Sequence, residues 1–210
     1  MPLSGPEQSH AMPTRRSLLQ GWLAASATGI SGISVGMFAP ILRAQPIKRD
    51  ITPSCGSDDE PTRSSTEGPF YSNQPPEKSD FRGDADGDPV TLIGFVLTRD
   101  CQPVSGAIVD LWHANRDGEY DNRGFRLRGY QKTDADGRYF FETIRPAEYG
   151  SRTPHYHVKV RNGDDRVLTT QLYFPGEARN ARDFLFNPAL LMDVQEASDG
   201  DIARFDFILA

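Results

Sequence analysis

The sequence is poor in the residues that most often mark metal and redox sites. Its 210 residues include two cysteines and four histidines. The cysteines, Cys55 and Cys101, are not in CxxC spacing, so no thiolate metal site is expected. Positive charge is not in excess either. Lys and Arg number 23 against 29 Asp and Glu, and a net charge of −6 argues against nucleic acid as a main partner. Long stretches of helical periodicity, internal repeats and low-complexity tracts are also missing. These absences leave a folded domain whose chemistry rests on a small set of side chains.

Glycine and proline are plentiful, with 19 and 16 residues, and they separate short apolar stretches. Strands are expected over residues 90–97, 107–112, 138–144, 155–160, 167–174 and 203–209, with a hairpin turn at Asn162-Gly163-Asp164-Asp165. Residues 114–129 are a long polar excursion of the kind that often carries function. A short helix is expected over residues 178–184. The pattern is all-β, a β-sandwich core with long functional loops; a small open barrel would carry the same pattern.

The first 44 residues stand apart. Thr14-Arg15-Arg16-Ser17-Leu18-Leu19-Gln20 is a twin-arginine sequence, followed by a weakly apolar run rich in Gly, Ala and Ser and by Leu42-Arg43-Ala44. Charged start, apolar middle and small-residue exit describe an export signal. The expected division is a signal over 1–44 and one domain over 45–210. The expected location is the periplasm, with no stable membrane insertion once the signal is cut; an uncleaved anchor is the alternative. Folded export suits a protein that takes up a cofactor before it leaves the cytoplasm. In an oxidising compartment, Cys55 and Cys101 are expected to pair.

Two of the four histidines fall at His155-Tyr156-His157-Val158-Lys159-Val160. In a strand, residues i and i+2 share a face, so His155 and His157 project together and Tyr156, Val158 and Val160 face the other way. A surface strand that carries two histidines is the plain alternative. A zinc site would need a third ligand, and neither His113, distant in sequence, nor His10, in the signal, is well placed. Phenols are close: Tyr149 in the turn before the strand and Tyr120 in the excursion. A phenol loses its proton only near pH ~10 in water, but a ferric ion is acidic enough to hold it as phenolate.

These residues resemble the intradiol ring-cleavage dioxygenases. The resemblance is carried, in order, by Ser65-Thr-Glu-Gly-Pro-Phe-Tyr71, Pro103-Val-Ser-Gly-Ala-Ile-Val-Asp-Leu-Trp-His-Ala-Asn115, Gly118-Glu-Tyr120, Thr133–Pro146, Arg152-Thr-Pro-His-Tyr-His157 and Thr169-Thr-Gln-Leu-Tyr-Phe-Pro175. It implies a β-sandwich with Fe(III) held by Tyr120, Tyr149, His155 and His157. Tyr149 is then the ligand that leaves when a catecholate chelates the iron. Arg152 stabilises negative charge on the substrate and Gln171 lines the same pocket. Thr66, Gly68 and Pro69 shape its wall. The implied reaction is O2-dependent cleavage between adjacent ring hydroxyls of a small aromatic diol, giving a muconate-type dicarboxylic acid. The resemblance is compatible with a homo-oligomer without fixing how copies assemble. Trp112, Tyr130, Tyr139 and Tyr173 are read as packing residues, and His113 as a residue that backs the ligands or lies at the surface. Two other readings stay open: a non-catalytic module that binds metal or aromatics, and a zinc hydrolase built on the histidine pair. Gly150 and Ser151 stand where the larger relatives carry a bulky aromatic, and the segment from Tyr149 to His155 is short, so a more open substrate wall is expected.

Overall fold

The longest strand, β1 (Pro89–Thr98), is an almost unbroken apolar run, and it is flanked on both edges. Gly94, Phe95, Val96 and Leu97 are buried in succession, so this stretch is covered on both faces, as a continuous apolar run requires. The structure, a computed structural model, describes residues 53–56, 60–163 and 166–210. The expected export signal, and Asp164 and Asp165 of the expected hairpin turn, lie outside the described residues.

Eight further strands follow: β2 (Ile108–Trp112), β3 (Arg128–Lys132), β4 (Arg138–Ile144), β5 (His155–Asn162), β6 (Arg166–Tyr173), β7 (Asp193–Gln195), β8 (Asp201–Arg204) and β9 (Phe207–Leu209). They form two sheets. One has the order β4-β1-β8-β7, with β9 also on β1; the other has the order β3-β2-β5-β6. The apolar core between them includes Leu92 and Val96 of β1, Phe141 of β4, Leu111 of β2 and Tyr156, Val158 and Val160 of β5. The fold is an all-β sandwich. Among the described residues no helix is long and apolar enough to cross a membrane.

Three expectations need correction. The single strand over 203–209 is split into β8 and β9, both parallel to β1. Between them Phe205 crowds the main chain of β1: a Cβ on Gly94 would lie 1.8 Å from the Phe205 carbonyl oxygen. Asp206 replaces the lost ladder bond by accepting from the Phe95 amide at 3.1 Å. Next, β3 lies at the end of the polar excursion; Arg-Gly-Tyr-Gln-Lys has no apolar alternation to announce a strand, and its ladder with β2 specifies it instead. Finally, the helix expected over 178–184 is only a single 3-10 turn at Asn180–Arg182.

The outer face of the four-stranded sheet is roofed by a strap with no regular structure of its own. Ser65 N donates to Thr169 O on β6 at 2.8 Å. Gly68 lies against the His157 ring of β5, and Tyr71 packs on Trp112 of β2. The strap leaves over β3, where Lys78 N donates to Tyr130 O at 2.9 Å, and reaches β4, where Phe81 N donates to Glu142 O at 2.7 Å. It thus crosses all four strands and then closes the seam between the sheets. A Cys55–Cys101 disulfide anchors the chain just before it, as expected.

Candidate metal centre

Alternation along β5 puts His155 and His157 on the roofed face, 3% and 2% exposed. Their Nε2 atoms are 3.1 Å apart. Tyr120 Oη lies 3.4 Å from His155 Nε2 and 3.2 Å from His157 Nε2. A triangle with these edges has its corners about 2 Å from a common point, the length of a bond from a first-row metal to an imidazole nitrogen. Two neutral nitrogens and a phenol oxygen thus converge at metal-binding distance.

The surroundings tune each group. His155 Nδ1 donates to Thr153 O at 2.6 Å, which leaves the Nε2 lone pair facing the triangle. Burial, helped by the Arg152 charge, lowers the His155 pKa to about 4. Burial and the neighbouring His155 hold His157 well below its ordinary value. Both rings are therefore neutral at physiological pH, the form that ligates metal. His157 Nδ1 is buried without a partner among the described residues. Packing sets this ring: Trp112 stacks on it with centroids 5.0 Å apart, and a Cβ on Gly68, whose φ is +73°, would come within 3.1 Å of its Cε1. Burial pushes the Tyr120 phenol up, opposed by the charges of Arg152 and Arg128. Only a strongly acidic cation at the triangle overcomes that penalty, and two imidazoles with a phenolate are a donor set suited to Fe(III). Among the described residues no group of three His, Cys, Asp or Glu side chains could hold a metal. Among the described residues the histidine pair thus has no third His, Cys, Asp or Glu beside it, and the third donor is the Tyr120 phenol.

A sequence profile described as Dioxygenase matches residues 66–210. The chain belongs to the intradiol ring-cleavage dioxygenase family. It is 34% identical over 134 residues to catechol 1,2-dioxygenase 1 of Acinetobacter lwoffii, covering 52% of this chain and 43% of that protein. It is 32% identical over 142 residues to the protocatechuate 3,4-dioxygenase beta chain of Burkholderia cepacia, covering 59% of this chain and 58% of that one. Among solved structures, it superposes with a TM-score of 0.70 and 45% identity on the dioxygenase domain of a dioxygenase and carbohydrate-binding protein fusion from Streptomyces sp. SirexAA-E. That match covers 71% of this chain and 98% of the other. The chain spans about half the length of the curated relatives it matches.

The remaining residues singled out from the family pattern fall around this triangle in different ways. Tyr149 does not join it. Its ring is edge-on to Tyr120 and Phe70, at 5.6 and 5.1 Å, and is 39% exposed, and its hydroxyl has no hydrogen-bond partner among the described residues. It sits on a tight turn closed by Arg152 N donating to Tyr149 O at 2.8 Å. A Cβ on Gly150 would meet nothing within 4 Å, so nothing crowds that turn. Arg152 Nη2 donates to Gln171 Oε1 and, at 3.3 Å, to Tyr173 Oη. Gln171 is fully buried, and its Nε2 donates to the Thr66 carbonyl at 2.8 Å, tying the pocket floor to the strap. Pro69 is exposed on the strap.

Several residues differ from their sequence reading. Trp112 is buried, but against His157 and Tyr71 on the roofed face. Tyr173 packs, yet its hydroxyl also belongs to the Arg152 and Gln171 network. His113 is inside the sandwich, 1% exposed, between Ala114 O at 2.7 Å and Thr143 Oγ1 at 2.6 Å. One residue of this network was missed altogether. Asp183 Oδ1 and Oδ2 accept from Arg152 Nε at 3.0 and 2.9 Å, and Oδ2 also accepts from Thr153 N at 2.9 Å. Burial pushes this carboxyl up, but amide hydrogen bonds from Leu185 and Thr153 and the Arg152 side chain hold it below the usual range. No sequence pattern marks an acid in the irregular stretch after β6.

Proposed function

We propose that this protein is an Fe(III)-dependent intradiol dioxygenase that cleaves a catechol-type ring between adjacent hydroxyls with O2 and yields a muconate-type dicarboxylic acid. The observation that carries this reading is the convergence of Tyr120 Oη, His155 Nε2 and His157 Nε2 in a member of the family. Tyr120, His155 and His157 would hold Fe(III), and the ion would supply a Lewis acid for the two diol oxygens to chelate, making the ring open to attack by O2.

The chain's own groups then have distinct tasks. His155 and His157 present lone pairs from a rigid strand, with His155 fixed by its bond to Thr153 O. Tyr120 supplies the negative oxygen that balances the ion. Tyr149 is the fourth ligand in this reading; bound as phenolate from its exposed turn, it would take the proton of a substrate hydroxyl as it yields its place to that oxygen. Arg152, held by Asp183 and adjoining Gln171, is a preorganised cation for negative charge developing on the substrate. The uncrowded turn at Gly150 leaves room for substituents on the diol. The twin-arginine segment supports export of the folded protein to the periplasm.

Oxygen uptake tests the reading directly, using iron-loaded protein with catechol, protocatechuate and hydroxyquinol. One O2 consumed per ring, by protein coloured red to brown by tyrosinate-to-iron charge transfer, is the expected result. No uptake with any of the three by protein of full iron content would overturn it.

A further inference from the structure

Tyr120 is the weakest-anchored member of the triangle. The histidines are held in a ladder on β5, but Tyr120 belongs to an irregular loop, and among the described residues its hydroxyl has hydrogen-bond-range contacts only with the two histidine nitrogens. Something must fix the phenol, because a metal site needs its ligands within a fraction of an ångström of their places. Upstream, the loop is tied by Asn115, whose Oδ1 accepts from Asp117 N and Glu119 N at 2.9 Å each. Downstream, the Asp121 carboxylate turns the loop on itself by accepting from Arg123 N and Gly124 N at 3.0 and 2.9 Å, and Arg128, the first residue of β3, ties it to the sheet.

Arg128 is 2% exposed, and its guanidinium is bonded to three carbonyl-type oxygens. Nε donates to Asp121 O at 2.8 Å, and Nη2 approaches Asn122 Oδ1 at 3.5 Å. These are the two residues directly after Tyr120. Nη1 donates to Phe70 O on the strap. The Phe70 ring lies flat on the Tyr120 ring, with centroids 4.3 Å apart and planes 16° from parallel. One planar fork therefore grips both the chain that carries Tyr120 and the residue whose ring covers it. Arginine suits this task because its donors diverge in a fixed plane, whereas a lysine offers a single nitrogen.

We infer that Arg128 is a positioning residue for the metal centre: with Phe70 as its partner, it holds the Tyr120 phenol in register with the histidine nitrogens. The inference rests on the reading of Tyr120 as an iron ligand. It predicts that loss of the fork loosens iron without removing any ligand. Partners of metal ligands commonly contribute about 10- to 100-fold in metal affinity or activity.

The test compares Fe(III)-loaded wild type with Arg128→Met, Arg128→Lys and Phe70→Leu. It uses iron retention against a competing chelator, the visible charge-transfer band and thermal unfolding. Arg128→Met is expected to lose iron roughly 10- to 100-fold more readily, with a weakened and shifted band. Arg128→Lys should recover part of that loss. Phe70→Leu, which keeps the fork and removes the ring, should shift the band in the same direction. Wild-type band and iron retention in a folded Arg128→Met protein would overturn the inference. If that variant does not fold, wild-type behaviour of both Arg128→Lys and Phe70→Leu overturns it. A separate control isolates the underlying reading: if Tyr120→Phe leaves the wild-type band unchanged, Tyr120 is no ligand, and the inference falls with that assignment.

Discussion

Tyr156 and His157 are consecutive on β5 and almost equally buried, at 0% and 2% exposed. Their surroundings have nothing in common. Tyr156 faces the other sheet, inside an apolar core, with its hydroxyl donating to Ile144 O at 2.9 Å. His157 faces a roof of irregular chain and shares its space with Tyr120, His155 and Trp112. The inner face is closed by regular structure and the outer face by loops, so burial has two meanings in one strand: packing on one side, exclusion of water from a polar site on the other. The sharpest way to break this division is to cut each face. Tyr156→Ala should lower unfolding stability by about 3–5 kcal/mol, the cost of a large-to-small change in a packed core. His157→Ala should lose iron while costing the metal-free protein much less. Urea denaturation of both metal-free variants decides it, and equal losses would mean that the roofed face is simply more core.

The roof itself is the next target. Cys55 and Cys101 are 46 residues apart in sequence, and the strap begins shortly after Cys55. Restricting a loop of that length in the unfolded chain is worth at most about 4 kcal/mol, and commonly about 2–4. Reduction should therefore lower the melting temperature. Amide exchange should rise first in residues 62–71 rather than in β5, because the strap is held by a few scattered bonds and the strand by a full ladder. Uniform exchange across both would show that roof and sheet open together.

The same division explains what the sequence disclosed. The inner face was legible because period-2 alternation in residues 155–160 and the unbroken apolar run of β1 follow directly from burying a sheet. The histidine pair was legible for the same reason, and the phenols through their family motifs. The roof was not. β3 begins Arg-Gly and shows no alternation, so Arg128 looked like part of a polar loop, although its side chain reaches under the strap. Asp183 lies in an irregular stretch, and only tertiary structure brings it to Arg152. Trp112 alternates like any strand residue, and nothing local says which side of β2 is roofed.

His113 provides a control from the inner side. It is a histidine in the core, away from the triangle, and burial lowers its pKa to about 4. The folded state therefore binds fewer protons than the unfolded chain between pH 4 and about 6.5. Its effect on stability is absent above pH 6.5, grows as pH falls through that window, and levels off below pH 4, reaching on the order of 3 kcal/mol. His113→Gln should flatten the acid limb of the stability curve measured by denaturation at fixed iron content. An unchanged limb would mean that His113 carries none of the protonation penalty, leaving the buried His155 and His157 and the carboxylates held low, Asp80, Asp121 and Asp183.

The finest distinction is between holding a charge and merely filling space, and Asp183 tests it. Its carboxylate accepts from Arg152 Nε and from Thr153 N at once. An amide of the same shape has one oxygen and a donor in place of the other, so one of those contacts is lost. If Asp183 serves Arg152, Asp183→Asn should lower kcat and kcat/KM together by about 10- to 100-fold, since Arg152 acts on charge that appears only in the transition state. With the amide oxygen kept on Thr153 N, whose residue anchors His155 through its carbonyl, iron content and the charge-transfer band should stay close to wild type. In an Arg152→Ala background the same change should then cost little, because two residues that act as one unit do not add. Full additivity in that double-mutant cycle would place Asp183 with the packing residues instead and make the outer network less cooperative than its hydrogen bonds imply.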